Sequence, residues 1–420
     1  MRVRAVEPRE AFGFAVMGPI LAEMVWKLSV YLQSSKHADD SAVLFCARGG
    51  LVLRRALQLF ASRVGLTLRL RQADLMVSRL AAARAALQRD PAAVAPLLEG
   101  EFAGRSCAEA ARALTGICVD SEASWNVPFN VVRFTELMAA TESGRRIRKV
   151  NDEQAEFLRA HIDSLRGEST RVILCDTGVF GSIGRYLQVG VPDVDWNSAV
   201  LFRANYKNIP APHFTMTTGV VCESDTYVPW RPVTSILLYW PVIESMLEPK
   251  IPSVRYYRAD AGGGVVSDLE VANWQDHLQP AVGSTLAGAL DYVAGLSPRS
   301  IGSIHKRGRL AWNRLRTMIV FPTLTDVALL AVGRRGLDFG VEDAVTFTGE
   351  PDTTANSFRE KLSAARRSMW PEGEFRKQFP RAAGAFLFTL ELGRFLRATS
   401  RTMISEAGVS IRPEFDKWLA

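Results

Sequence analysis

Ser41 to Gly65 reads SAVLFCARGGLVLRRALQLFASRVG. Its apolar run, Ala42 to Ala47, predicts a buried strand, and a helical pattern over 51–64 follows at once. The turn between them is Arg48-Gly49-Gly50. Such a turn suits a phosphate. Free N–H groups at a helix start point outward, glycine lets a ligand approach the backbone, and arginine adds a permanently charged fork. A turn that needs its glycines for purely steric reasons fits the same residues, and this stretch alone does not choose.

A second stretch changes the weighting. VILCDTGVFGSIGRYL, Val172 to Leu187, again sets a buried strand before an acid and a glycine-rich loop. Asp176 closes the strand, Gly178, Gly181 and Ser182 follow, and a helix begins near Ser182. Leu66 to Arg79 reads as a strand running into a loop, and about 198–204 as another strand. This strand–helix–strand rhythm predicts an α/β fold with a parallel sheet and crossover helices. Parallel sheets bind ligands outside the carboxyl ends of their strands. Two glycine loops there, one with Arg48 and one with Asp176 and Ser182, suit two phosphates and the sugar between them.

Competing motifs are missing. There is no GxxxxGK(S/T), neither glycine loop is GxGxxG, and neither HExxH nor GxSxG occurs. The histidines (His37, His161, His213, His277, His305) are scattered and read as structural or exposed. Cys46, Cys107, Cys118, Cys175 and Cys222 are odd in number and include no CxxC pair, which points to free thiols in a reducing cytoplasm. The net charge of +7 over 420 residues suits anionic small molecules or an anionic membrane surface. No dense Lys/Arg run with interleaved aromatics suggests nucleic acid. No window of 18 uninterrupted apolar residues occurs, so membrane contact is expected to be peripheral, at the inner face.

Along the chain, 11–35 reads as a helix entered through Gly18-Pro19, and about 80–165 is helical. Residues 210–300 mix short elements, and the remainder is mainly helical with breaks at Pro322, Pro371 and Pro380. The division expected is an α/β domain over 1–300, with a helical insertion at about 80–165, and a helical region over 301–420. Position alone assigns those helical parts to the acceptor side.

The paired turns resemble the type I phosphoribosyltransferase fold. By that resemblance Ala47-Arg48-Gly49-Gly50 match the pyrophosphate loop. Asp176, Thr177, Gly178, Val179, Phe180, Gly181, Ser182 and Ile183 match the loop that takes the 5-phosphate of phosphoribosyl pyrophosphate (PRPP). Two departures stand out: Cys175 replaces the first of two adjacent acids, and Phe180-Gly181-Ser182-Ile183 replaces a threonine-glycine-glycine-threonine ending. A narrower resemblance covers most of the chain. GPILAEMVWKL, VLFCARGGLVLRRAL, LMVSRLAAARAAL, VILCDTGVFGSIGRYLQ, PVIESMLEPKIPSVRYY, FPTLTDVALLAVG and SMWPEGEF occur in the order found in a module of bacterial capsule and O-antigen gene clusters. That module is often paired with a haloacid-dehalogenase (HAD)-type phosphatase.

The resemblance implies a PRPP-dependent ribofuranosyltransferase. It would add a 5-phosphoribofuranosyl unit to a glycan acceptor, lipid-linked by expectation, and leave the phosphate to a phosphatase. Pyrophosphate with Mg²⁺ would rest on Arg48, Gly49 and Gly50, with Asp176 near the metal. The 5-phosphate would sit on the N–H groups of Val179 to Ser182. Asp176 or Glu244 is the candidate carboxylate at C1, with Glu244 equally readable as the ion-pair partner of a nearby arginine, and Ser78-Arg79 a further phosphate contact or a cap and a surface charge. Arg203 reads as an ion pair or a pocket residue, and Trp370 as core or a stacking platform for a sugar. Two other functions fit: the same fold acting on a non-glycan acceptor, and a non-catalytic scaffold in polysaccharide assembly.

Overall fold

The structure, a computed structural model, describes residues 7–34, 40–205, 209–224, 228, 231–249, 251–272, 274–330, 335–336, 344–345 and 357–406. His37 and the last part of the C-terminal region, 407–420, lie outside the described residues.

Helix α1 (Pro8–Phe12) passes through a π turn into α2 (Gly18–Ser34). β1 (Ser41–Cys46) leads through the Arg48 turn into α3 (Gly49–Val64), and β2 (Arg71–Leu75) follows. The helical stretch expected at 80–165 is five helices: α4 (Arg79–Arg89), α5 (Pro91–Glu101), α6 (Cys107–Thr115), α7 (Val131–Ala140) and α8 (Glu142–Arg166). Then come β3 (Arg171–Asp176), α9 (Ser182–Gly190), β4 (Asp195–Arg203) and β5 (Thr217–Glu223). α10 (Pro232–Leu237) and α11 (Trp240–Leu247) precede the hairpin of β6 (Tyr257–Ala259) and β7 (Val265–Ser267), which runs into α12 (Asp268–Val271). α13 (Thr285–Ala294), α14 (Ile301–Val320) and α15 (Leu324–Leu330) come next. A small pair, β8 (Arg335–Gly336) and β9 (Ala344–Val345), precedes α16 (Phe358–Arg367), α17 (Pro371–Gln378) and α18 (Ala383–Glu406).

The fold is α/β. Five strands form a wholly parallel sheet in the order β2-β1-β3-β4-β5. The chain moves outward from β1 to β2, then returns to lay β3 on the other side of β1. The strand order therefore reverses between β1 and β3, and a crevice opens at their carboxyl ends.

Both sheet faces are covered, so the central strands are apolar on both sides rather than alternating with polar residues. Val43, Phe45, Ile173 and Cys175 pack with α2, α3, α11, α13 and α14. Leu44, Cys46, Val172 and Leu174 face the opposite way, toward α4, α8 and α9. Consecutive residues of one strand thus serve separate cores, as the strand period of two requires.

Pro8–Ser34 is apolar and long enough to cross a membrane, but most of it is buried inside the protein. Met17, Ile20, Met24, Val25 and Leu28 are in the same core as Ile304, Trp312, Leu315 and Ile319 of α14. The core therefore runs on past residue 300. α16, α17 and α18 add a small cluster of their own, with Ala365, Phe375, Ala383 and Leu387.

A polar network ties these last helices to α11. Buried Glu372 accepts a hydrogen bond from the Tyr239 hydroxyl and pairs with Arg394 at 2.6 Å. Arg394 also donates to the Tyr239 hydroxyl at 2.9 Å. Tyr239 is the N-cap residue of α11, so the network holds the start of that helix.

Candidate functional site

The two glycine turns meet. A Cβ built on Gly49 would lie 2.0 Å from Thr177 Oγ1, so only glycine lets the β1 turn close against the β3 turn. Gly50 is tight as well, with the Cys175 carbonyl oxygen 3.0 Å from where its Cβ would be. These contacts follow from the register, which pairs Phe45 with Cys175 and leaves both chains to exit the sheet side by side.

Arg48, between strand and helix, has φ 71° and ψ −99°, and is the one non-glycine residue with positive φ among those described. Such a backbone costs of order 1–3 kcal/mol, and the surroundings must enforce it. Its guanidinium lies 3.5 Å from Glu248 Oε1, both side chains largely withdrawn from solvent. Glu248 follows α11 directly, one turn beyond Glu244.

Glu244 reaches the same junction. Thr177 Oγ1 donates to Glu244 Oε1 at 3.4 Å. Asp176 is half-buried beside it. Burial first, then the Glu244 carboxylate, push Asp176 up to about 6. The N–H groups of Gly178 and Thr177 and the Arg79 guanidinium pull the other way. The site is thus a pair of carboxylates over two backbone turns, with Arg48 and Arg79 as the nearby cations.

Cys175 cannot stand in for a carboxylate. Its thiol points into the apolar layer with Phe45 and Ile173, and burial raises its pKa strongly. α11 packs on that same face of the sheet, and it is α11 that brings Glu244 to the strand tip.

Beyond Thr177 the loop is pinned at successive carbonyls. Ala204 N–H donates to the Val179 carbonyl at 3.0 Å, and His213 Nε2 lies 2.8 Å from that of Phe180. Gly181 is left-handed at φ 73° and precedes α9, whose first residue is Ser182. His213 is buried among Phe180 and Phe214, and burial lowers its pKa. It serves as a loop anchor.

The remaining sequence candidates fall as follows. Ser78 caps α4 by accepting from Ala81 N–H at 3.1 Å, and donates to the Val254 carbonyl at 2.6 Å. Arg79 pairs with Glu101 at 3.0 Å. Arg203 binds the Phe214 and Thr217 carbonyls and pairs with Glu223 at 2.7 Å. Trp370 is wholly buried and donates to the Ile319 carbonyl at 2.9 Å. Arg203 and Trp370 therefore tie the scaffold together. Arg48, Gly49, Gly50, Asp176, Thr177, Gly178 and Glu244 converge on one locus.

Glu248 is what sequence reasoning missed, and His213 is a structural histidine, as read, whose partner the sequence did not indicate. Glu244 and Glu248 are four residues apart in IESMLE, a spacing that puts both on one helix face, and that signal was available. Nothing local in the sequence links His213 to Phe180.

No group of three or more His, Cys, Asp or Glu residues suited to a metal occurs among the described residues. The pair Asp176 and Glu244 nonetheless fits Mg²⁺. Magnesium is a hard cation that binds through one or two carboxylates and completes its shell with waters and substrate phosphate oxygens. After burial, repulsion from Glu244 is what raises Asp176, and that part a cation would relieve.

No protein-family model matches the chain, and no curated protein sequence matches it.

Proposed function

We propose that the chain is a phosphoribosyltransferase-like glycosyltransferase that moves a 5-phosphoribofuranosyl unit from PRPP to a glycan acceptor. One observation carries this reading. The Arg48–Gly50 turn and the loop from Asp176 abut at neighbouring strand ends, with Glu244 over the junction. A ligand with a phosphate at each end of a pentose has two separate cradles there, and a carboxylate pair for the carbon between them.

In this reading the pyrophosphate lies on Arg48, Gly49 and Gly50, and Arg48 exchanges Glu248 for the ligand. The 5-phosphate takes the free N–H groups at the start of α9. Asp176 and Glu244 would hold Mg²⁺, which when bound offsets charge on the departing pyrophosphate. The C1–oxygen bond to pyrophosphate breaks, and positive charge develops on the ring. The acceptor hydroxyl oxygen bonds to C1 from the opposite face, and its proton passes to solvent. Inversion of the α-donor gives a β-ribofuranoside. Glu244 supplies from α11 the second acid that Cys175 lacks. The 5-phosphate stays on the product for a separate HAD-type phosphatase.

Calorimetry with PRPP and Mg²⁺ tests the reading, followed by pyrophosphate release with and without a glycan acceptor. Binding together with acceptor-dependent release is expected. Binding without glycan dependence points to another acceptor. No PRPP binding by folded protein leaves a scaffold and ends the enzymatic proposal.

A further inference from the structure

The outer surface of the C-terminal helices has a chemistry that the site does not use. α18 buries Ala383, Leu387 and Glu391 on one side. Its other side exposes Phe388, Leu392, Phe395 and Leu396, with Phe388 63% and Leu392 44% exposed. Phe388, Leu392 and Phe395 recur at helical spacing and form one stripe. A contiguous apolar ridge of this kind marks an interaction surface.

The exposed charges of these helices are mostly basic. Glu372, Glu374 and Glu391 are buried and Glu360 is the exposed acid of α16, whereas Arg359, Arg366, Arg381 and Arg397 are exposed. α14 joins α18 through the ion pair of Arg316 with Glu391. From Arg299 to Val320 there is no acid. Lys306, Arg307, Arg309 and Arg314 are all exposed there, around an outward Leu310. Arg309 lies two turns before Arg316 on the same ridge, so the basic face of α14 borders the helix that carries the apolar stripe.

We propose that α18 and the outer face of α14 form a docking surface for an anionic lipid bilayer, with the α18 stripe sunk among the acyl chains and the α14 cations at the headgroups. An interfacial helix binds in this way, through buried apolar area plus attraction to anionic lipid. Each basic residue near such a surface tightens binding by roughly fivefold. A second copy of the chain is the poorer occupant: a two-fold contact sets like patches face to face and brings these basic faces together. Arg394 of α18 ties this surface to Tyr239 at the start of α11, and hence to the helix that carries Glu244. A bilayer-borne acceptor would thus be met close to the site, although the docking itself does not rest on the PRPP reading.

The test is co-sedimentation of the full chain with phosphatidylcholine vesicles and with equimolar phosphatidylcholine–phosphatidylglycerol vesicles. The proposal expects binding to the mixed vesicles at least about tenfold tighter than to the neutral ones. A similar loss is expected in F388S/L392S, and separately in K306A/R309A/R314A, whose changes are all exposed. Circular dichroism and a melting curve verify that both variants are folded. Absence of binding to the mixed vesicles, or binding that neither variant weakens, overturns the proposal. So does a lipid-free dimer, measured by light scattering, that F388S/L392S dissociates, because a second copy then covers the stripe.

Discussion

Gly49 and Thr177 touch across the gap between two strands, and a single methyl group at Gly49 would overlap the Thr177 hydroxyl at 2.0 Å. This contact joins the turn after β1 to the turn after β3. Gly49→Ala should therefore force the turns apart and cost about 1–3 kcal/mol, the usual range for overpacking. T177A removes the overlapping hydroxyl and methyl and should return part of that loss in the double variant. Gly100, which has open space around its Cβ position, is the control: Gly100→Ala should be neutral or stabilising. Urea unfolding of the four proteins measures all of this. Equal stability of G49A and wild type would show that the two turns are not pressed together.

The carboxylate pair gives a prediction that needs no substrate. Asp176 is raised to about 6 in the folded protein, against roughly 3.9 for an unfolded chain. Between those values the folded state holds a proton that the unfolded state has lost. Stability from this group therefore falls as pH rises through that window and stays low above it. D176N removes the penalty. Its melting temperature should exceed that of wild type at pH 8 without added magnesium, and the gain should vanish near pH 4. A melting difference independent of pH would place the Asp176 carboxyl in ordinary solvent.

With the pair holding Mg²⁺ against the departing pyrophosphate, D176N and E244Q should each lower transfer by about 10²-fold or more. The fold should survive both changes. Acceptor-dependent pyrophosphate release from PRPP is the measurement, and near-normal turnover in both variants would remove the pair from the mechanism.

Arg48 holds a backbone conformation that glycine adopts freely, with φ 71°. R48G should accordingly be more stable than R48A, by about 1 kcal/mol. Both lose the ion pair with Glu248, so their difference isolates the backbone. Both should bind pyrophosphate more weakly than wild type. An R48A protein as stable as R48G would mean that the turn relaxes to an unstrained form.

Arg394 is the cation that faces buried Glu372. Replacing it by Met leaves that carboxylate without its ion-pair partner, and such losses run to about 3–5 kcal/mol. R394M should fall in this range by denaturant unfolding, and adding E372Q should recover a share. If the double variant is as unstable as R394M alone, packing rather than charge is what Arg394 contributes.

Much of this architecture was legible in the sequence because its signals are local. Ala42–Ala47 and Val172–Cys175 each read as a buried strand from a few consecutive residues, and both are strands. The helical runs at 51–64 and 80–165 are helices, and the C-terminal breaks at Pro322, Pro371 and Pro380 fall between helices or at a helix start. The strand read over 66–79 is shorter, Arg71–Leu75, because the chain after Leu75 leaves the sheet and Ser78 caps α4. The Arg48 and Asp176 turns stood out because glycine beside a charge at a strand end is a compositional mark.

By itself the sequence determined the α/β class, the two glycine turns and the residue types at each, since strand, turn and helix are fixed by neighbours a few residues apart. Tertiary structure decided everything that depends on which segments meet. It set β3 beside β1, so that Gly49 closes on Thr177. It brought Glu244 and Glu248 over the turns from a helix far along the chain. It also committed Ser78 to a helix cap and buried Trp370 in the core. No local pattern encodes such meetings, because they are chosen by the burial of whole faces of helices and sheet against one another.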